Sequence, residues 1–218
     1  SGRFDVTITR SPEETFRNRQ ILSAFEAIVL DYNGPAWGEP AQQNFLATVR
    51  EGAGVVVVHA ANNAFPGWIE YEKLVALCWR AGTGHGSFHP FDVDIIDRDH
   101  PITATLPKLI QHPDELYHRL VHMHGTDFRT LATAHSSKDS GGTGEAEPMV
   151  VVKRYGKGRI FHTPLGHVGR GQPKTHASHL DPQFHTLIVR GTEWAATGEV
   201  TIPVPADFPT ASTTRSQD

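Results

Sequence analysis

Disulfides are excluded first. The 218 residues contain a single cysteine, Cys78, so no internal bridge can form. A lone thiol fits a reducing compartment such as the cytoplasm. No apolar run approaches the roughly 18 residues that a membrane-spanning helix needs. Lysine and arginine are neither clustered nor striped, and the formal net charge is −4, which argues against a nucleic-acid-binding surface. There is no internal repeat and no sign of a second domain. No signal peptide precedes the first strand-like segment. The strand and helix that usually open an α/β domain are not found either, so the chain is expected to lack the first strand of its fold, and its compartment stays open.

What is present is an ordinary core and an excess of imidazole. Hydrophobic residues make up 38% of the chain, enough for one globular domain, and there are 14 histidines. Phe4, Val6 and Ile8 alternate as in a strand. Ser11 reads as a helix N-cap, with Pro12 in the first helical position and Glu14 in the third. Residues 25–34 form an apolar strand ending in a turn. Residues 38–54 read as a helix, with Phe45, Leu46 and Val49 at helical spacing and Gly52 near its end. A strand follows over Val55–Val58, then a helix over residues 68–82. Residues 91–97 and 130–137 read as strands, residues 148–167 as a hairpin turning at Tyr155–Gly158, and residues 182–198 as a closing helix with Leu187, Ile188 and Trp194 in the core. This alternation predicts a parallel sheet covered on both faces. The domain is expected over residues 1–200, with a loose Pro/Ser/Thr-rich tail over 201–218.

The four valines before His59 read as a strand buried on both faces. In many α/β enzymes the residue just past such a strand is a nucleophile raised on a tight turn. Here that place holds a histidine. Imidazole suits proton transfer near neutral pH or metal ligation.

Five stretches resemble the ThuA-like (trehalose utilisation) family: GAGVVVVHAA, FHPFDVDIIDRDHPIT, DELYH, EPMVVVKRYGKGRIFHTPLGH and FHTLIVRGTEWAATG, in family order from about Phe25 to Gly198. The resemblance implies a flavodoxin-like, three-layer α/β sandwich similar to class I glutamine amidotransferases, with a mostly parallel sheet. It also implies carbohydrate metabolism, in particular the handling of oxidised, 3-keto disaccharides. Glutaminase chemistry is not expected. The amidotransferase cysteine elbow is replaced by Val-His-Ala-Ala, and Cys78 belongs to a predicted helix.

Other chemistry-bearing groups are expected at the same sheet edge. The resemblance places His89 in the family's His-Pro motif, and fold analogy puts His167 near the histidine of an amidotransferase triad. In an extended DELYH segment Glu115 and Tyr117 share one face, with Asp114 on the other. His59, Glu115 and His167 are the candidate acid–base residues. Asn62, Trp68, His89, Asp114 and Tyr117 are the candidate sugar contacts, since a pyranose offers both an apolar face and hydroxyls. Each also has a structural alternative: a satisfied buried histidine at His59, a strand cap at His89, loop hydrogen bonding at Asp114, core packing at Trp68. His122 and His124, spaced i and i+2, resemble a metal pair without a third ligand, and His85 with His89 is a weaker pair. No cofactor is required by these residues, and a divalent metal such as zinc is a possible one. The expected partner is a small sugar, with no nucleic acid, no membrane span and self-association left open. Two further readings remain: a non-catalytic sugar-binding module, and a metal-dependent hydrolase.

Overall fold

The computed structural model describes residues 2–210. Strand β1 (Ala27–Leu30), helix α1 (Ala41–Glu51) and strand β2 (Gly54–Val58) open the main sheet, followed by helix α2 (Ile69–Val75). Then come β3 (His89–Ile95), β4 (Leu109–Asp114), β5 (Arg129–His135), β6 (Ala146–Tyr155), β7 (Gly158–Thr163) and helix α3 (Pro182–Thr197). The seven strands lie in the order β1-β2-β7-β6-β5-β3-β4. Among the described residues no helix is long and apolar enough to cross a membrane.

The valine run explains the layering. Successive strand residues point to opposite faces. Val55 and Val57, with Ile160 of β7, pack with Phe45, Leu46 and Val49 of α1 and Leu74 of α2. Val56 and Val58, with Phe161, pack on the other side with Phe184, Leu187 and Trp194 of α3. Each fully buried side chain of this size contributes about 1.5–3 kcal/mol. The result is the expected α/β sandwich, with helices on both faces of the sheet.

Its parallel character is local. β1 pairs with β2, and β2 with β7, in parallel. The remaining pairings, β7–β6, β6–β5, β5–β3 and β3–β4, are antiparallel. The cause lies in the connections. Helix α1 carries the chain back between β1 and β2, whereas β6 and β7 are joined by a tight turn that permits only an antiparallel pair.

Two sequence-based elements differ. Residues 4–8 form no strand, and Val6 and Ile8 are 67% and 83% exposed. Alternation alone does not make a strand where no neighbour supplies a hydrogen-bond ladder and no face is covered. The helix expected over 68–82 stops at Val75. Ala76 adopts φ 67°, and Leu77–Cys78 leaves to pair with Val121–His122. Ser11 does precede a single helical turn, Pro12–Thr15, but its hydroxyl makes no cap bond. Of the expected tail, Ile202 and Phe208 are buried and the Arg190 guanidinium donates to the Ile202 carbonyl; residues 211–218 lie outside the described residues.

Gly54 shows how closely α3 approaches the sheet. A Cβ there would lie 2.3 Å from the Ala195 carbonyl oxygen. Gly54→Ala must push helix and strand apart, so it is expected to cost about 1–3 kcal/mol, read as a lower urea midpoint at unchanged slope.

Candidate active site

His59 leaves the end of β2 in the left-handed region, at φ 44°. A non-glycine residue there is strained by roughly 1–3 kcal/mol and needs surrounding contacts to hold it. The main one is the Pro164 carbonyl, 2.7 Å from Nδ1. A carbonyl only accepts, so Nδ1 carries the proton and Nε2 presents a lone pair. Burial pushes the His59 pKa down to about 4, against smaller opposing effects that include the nearby Asp114 and Asp31 charges. The ring is neutral at pH 7.

Two loops converge on that lone pair. Tyr117, beyond β4, places its hydroxyl 2.8 Å from His59 Nε2. Burial raises the Tyr117 pKa, so the phenol stays a donor. His167, beyond β7, places Nδ1 3.1 Å from His59 Nε2 and 3.1 Å from Glu115 Oε2. One side-chain donor atom from each of His59, Glu115 and His167 lies within 4.8 Å of the other two. His85 Nδ1 stands 3.7 Å from the same Glu115 oxygen and 2.7 Å from the Gly86 carbonyl. The cluster sits at the carboxyl ends of the parallel strands β2 and β7, where ligands bind in open α/β sheets.

Asp114 fixes the cluster from behind. Its Oδ1 accepts from the amides of Glu115 (2.7 Å) and His167 (3.1 Å). Its Oδ2 accepts from the Gly166 amide (2.7 Å), the Ser178 hydroxyl (2.8 Å) and His112 Nε2 (3.1 Å). His112 Nδ1 meets Asp181 Oδ2 at 2.6 Å. Burial alone would lower the His112 pKa, but the two carboxylates outweigh it and raise it to about 9. Burial would likewise raise Asp114; the His112 imidazolium and the converging donors hold it below the ordinary carboxylate value. A buried cation thus stands between two buried anions, with each lone pair and proton assigned.

The structure therefore brings together His59, Glu115, Tyr117 and His167. It does not bring the other four candidates to that cluster as sugar contacts. Asp114 is fully buried and committed to the loops. Asn62 is also fully buried, its Nδ2 3.3 Å from His162 Nε2. Trp68 packs with Trp37, Phe45, Phe65 and Tyr71 on the α1 side of the sheet, because the turn after Asn63 carries it away from the strand end. His89 pairs in register with Asp114, sets its ring against Phe91 and places Nδ1 2.7 Å from the Ser87 carbonyl. The His122–His124 pair is divided: His122 reaches the Thr126 carbonyl and His124 reaches Glu72. Cys78 is buried, its thiol pushed up to about 12 by burial.

Sequence reasoning missed the aromatic wall and the supporting shell. Trp79 lies 4.5 Å from the Tyr117 ring and 5.9 Å from His85, and Phe88 lies 6.2 Å from His167, centroid to centroid. Trp79 was hidden inside an overlong predicted helix. His112 carried a readable signal, standing two residues before Asp114 on the same strand face.

The sequence model of the ThuA family, described as trehalose utilisation, matches residues 1–195. The crystal structure of a ThuA-like protein from Parabacteroides merdae is 38% identical with a TM-score of 0.83, over 96% of this chain and 85% of that one. A ThuA-like protein from Bacteroides uniformis shares the fold at 16% identity and a TM-score of 0.65, over 90% and 80% of the two chains. A cytoplasmic protein of Salmonella typhimurium LT2 does so at 14% and 0.55, over 86% and 81%. No curated protein matches the chain. With a family match over most of its length and a solved relative at this identity, the chain belongs to the ThuA, or trehalose utilisation, family.

Proposed function

We propose that the cluster of His59, Glu115, Tyr117 and His167 carries out proton transfer on an oxidised disaccharide, a 3-keto-glycoside of the trehalose type. One observation carries this reading. A proton acceptor, the His167–Glu115 pair, and a proton donor, Tyr117, stand at one strand end around a strained, neutral histidine. His167 Nε2 is buried and has no partner among the described residues. With Glu115 holding Nδ1, Nε2 is the nitrogen free to accept a proton, the logic by which a carboxylate orients a catalytic imidazole.

A ketone at C3 makes the C2 hydrogen acidic. His167 takes that proton, and the C–H electron pair becomes the enolate. Collapse of the enolate forms the C1–C2 double bond and breaks the C1–O bond. The departing oxygen takes the Tyr117 proton. Water adding across the double bond completes a net hydrolysis. Trp79 and Phe88 offer faces for the sugar ring. The family's link to trehalose utilisation supports the substrate class.

The test is deuterium exchange. A 3-keto-trehalose is incubated with the protein in D₂O and followed by NMR. Incorporation at C2 together with glucose release supports the reading. Saturable binding with neither exchange nor release overturns it in favour of a sugar-binding module.

A further inference from the structure

Two of the three distances in the cluster match the edges of a metal coordination shell, and all three donor atoms lie within 4.8 Å of one another. Zinc–nitrogen bonds of about 2.0–2.1 Å put neighbouring ligand atoms roughly 2.9–3.4 Å apart, from octahedral to tetrahedral angles. His59 Nε2 to His167 Nδ1 is 3.1 Å, and His167 Nδ1 to Glu115 Oε2 is 3.1 Å.

Proton counting points the same way. His59 Nε2 has one lone pair, because Nδ1 is committed to the Pro164 carbonyl. Yet that lone pair faces both the Tyr117 hydroxyl and His167 Nδ1. His167 Nδ1 in turn faces a second acceptor, Glu115. Without a cation, the Tyr117 hydroxyl serves His59 Nε2 and the Nδ1 hydrogen of His167 serves Glu115, which leaves the 3.1 Å approach of His59 Nε2 to His167 Nδ1 with no hydrogen of its own. A cation would bridge that approach and the Glu115 oxygen.

The surroundings are those of a ligand set. Metal-bound histidines usually give their other ring N–H to a carbonyl or carboxylate, as His59 does to Pro164. Asp114 fixes the backbone of both Glu115 and His167. Two imidazoles and one carboxylate suit first-row divalent ions such as zinc, iron(II) or manganese. Three protein ligands leave a position for substrate or water, the arrangement of catalytic rather than structural sites.

We infer that His59 Nε2, His167 Nδ1 and Glu115 Oε2 bind one first-row divalent cation, with the Tyr117 hydroxyl beside it. The inference rests on the proposed function in taking this cluster as the reactive centre. When bound, the ion would supply Lewis-acid polarisation of a ketone oxygen; His59, Glu115 and His167 would hold it, and Tyr117 keeps its role as proton donor.

The chelator-treated protein is titrated with cobalt(II), read by calorimetry and by visible absorption. One ion per chain with nitrogen- and oxygen-type bands is expected, and His59→Asn or Glu115→Gln should weaken affinity about 100-fold or more. Asparagine tolerates the left-handed backbone at position 59, and circular dichroism checks that each variant is folded. No saturable binding, or binding unchanged in both variants, overturns the site. Keto-sugar exchange by the metal-free protein, with no cobalt bound, removes the cation and keeps the proposed function. Cobalt bound at the three ligands without exchange keeps the site and removes that function.

Discussion

Replacing His112 with leucine is expected to destabilise the protein by about 3–5 kcal/mol, the cost of removing one partner from a buried ion pair. The reason is specific. His112 is fully buried between Asp114 and Asp181, and leucine would leave two carboxylates in the interior with no counter-charge. A urea titration reads the loss directly. The pH dependence identifies its origin. His112 titrates near 9 in the folded chain against 6.5 ordinarily. A raised histidine pKa stabilises fully below about 6.5, and the contribution is lost as pH rises through 9. On the acid side, burial holds His59 near 4 and His162 near 3. Their contribution is present above 6.5 and declines as pH falls toward those values. Wild-type stability should therefore peak near pH 6–7, and His112→Leu should lose the alkaline limb while keeping the acid one. An alkaline limb that survives in the variant would mean that another group is responsible.

Glu115→Gln and His167→Gln are each expected to lower C2 exchange of a 3-keto-glycoside by about 10²–10⁴-fold, the usual contribution of a positioned acid or base. Both side chains are partly exposed, 16% and 17%, so the fold should tolerate the changes. Asp114→Asn is the informative companion. The amide keeps the shape but offers one acceptor oxygen where five donors converge. It should lower stability and activity together, whereas the Glu115 and His167 variants lower activity alone. Combining Glu115→Gln with His167→Gln should cost little more than either single change, because the two side chains act as one unit.

Some of this was readable in the sequence. The Val55–Val58 run announced a strand buried on both faces, and its end correctly located His59 at a sheet edge. The Phe45, Leu46 and Val49 spacing announced α1, and the Glu115/Tyr117 alternation put both side chains on one face. Strand direction was not readable. Periodicity is the same in parallel and antiparallel strands, so residues 91–97 and 130–137 gave no hint of antiparallel pairing. Nor was the break at Ala76, since alanine favours helix and only tertiary contacts hold it at φ 67°. That break places Trp79 beside Tyr117, a neighbour that an unbroken helix over 68–82 would not give it. The polarity of Asn62 and Asp114 signals a site, but burial cannot be seen in residue type, and both are fully buried in the scaffold.

The cluster is also strongly non-local along the chain. His59 lies 58 residues from Tyr117 and 108 from His167 along the sequence. Closing loops of that length costs chain entropy before any contact returns it, and such long-range pairings form late in folding. No single helix or hairpin contains the whole site. Assembly of the cluster around His59 therefore reports on completion of the whole fold: a refolding chain should regain helical signal first, tertiary fluorescence next, and the proposed exchange activity only when β7 has docked beside β2.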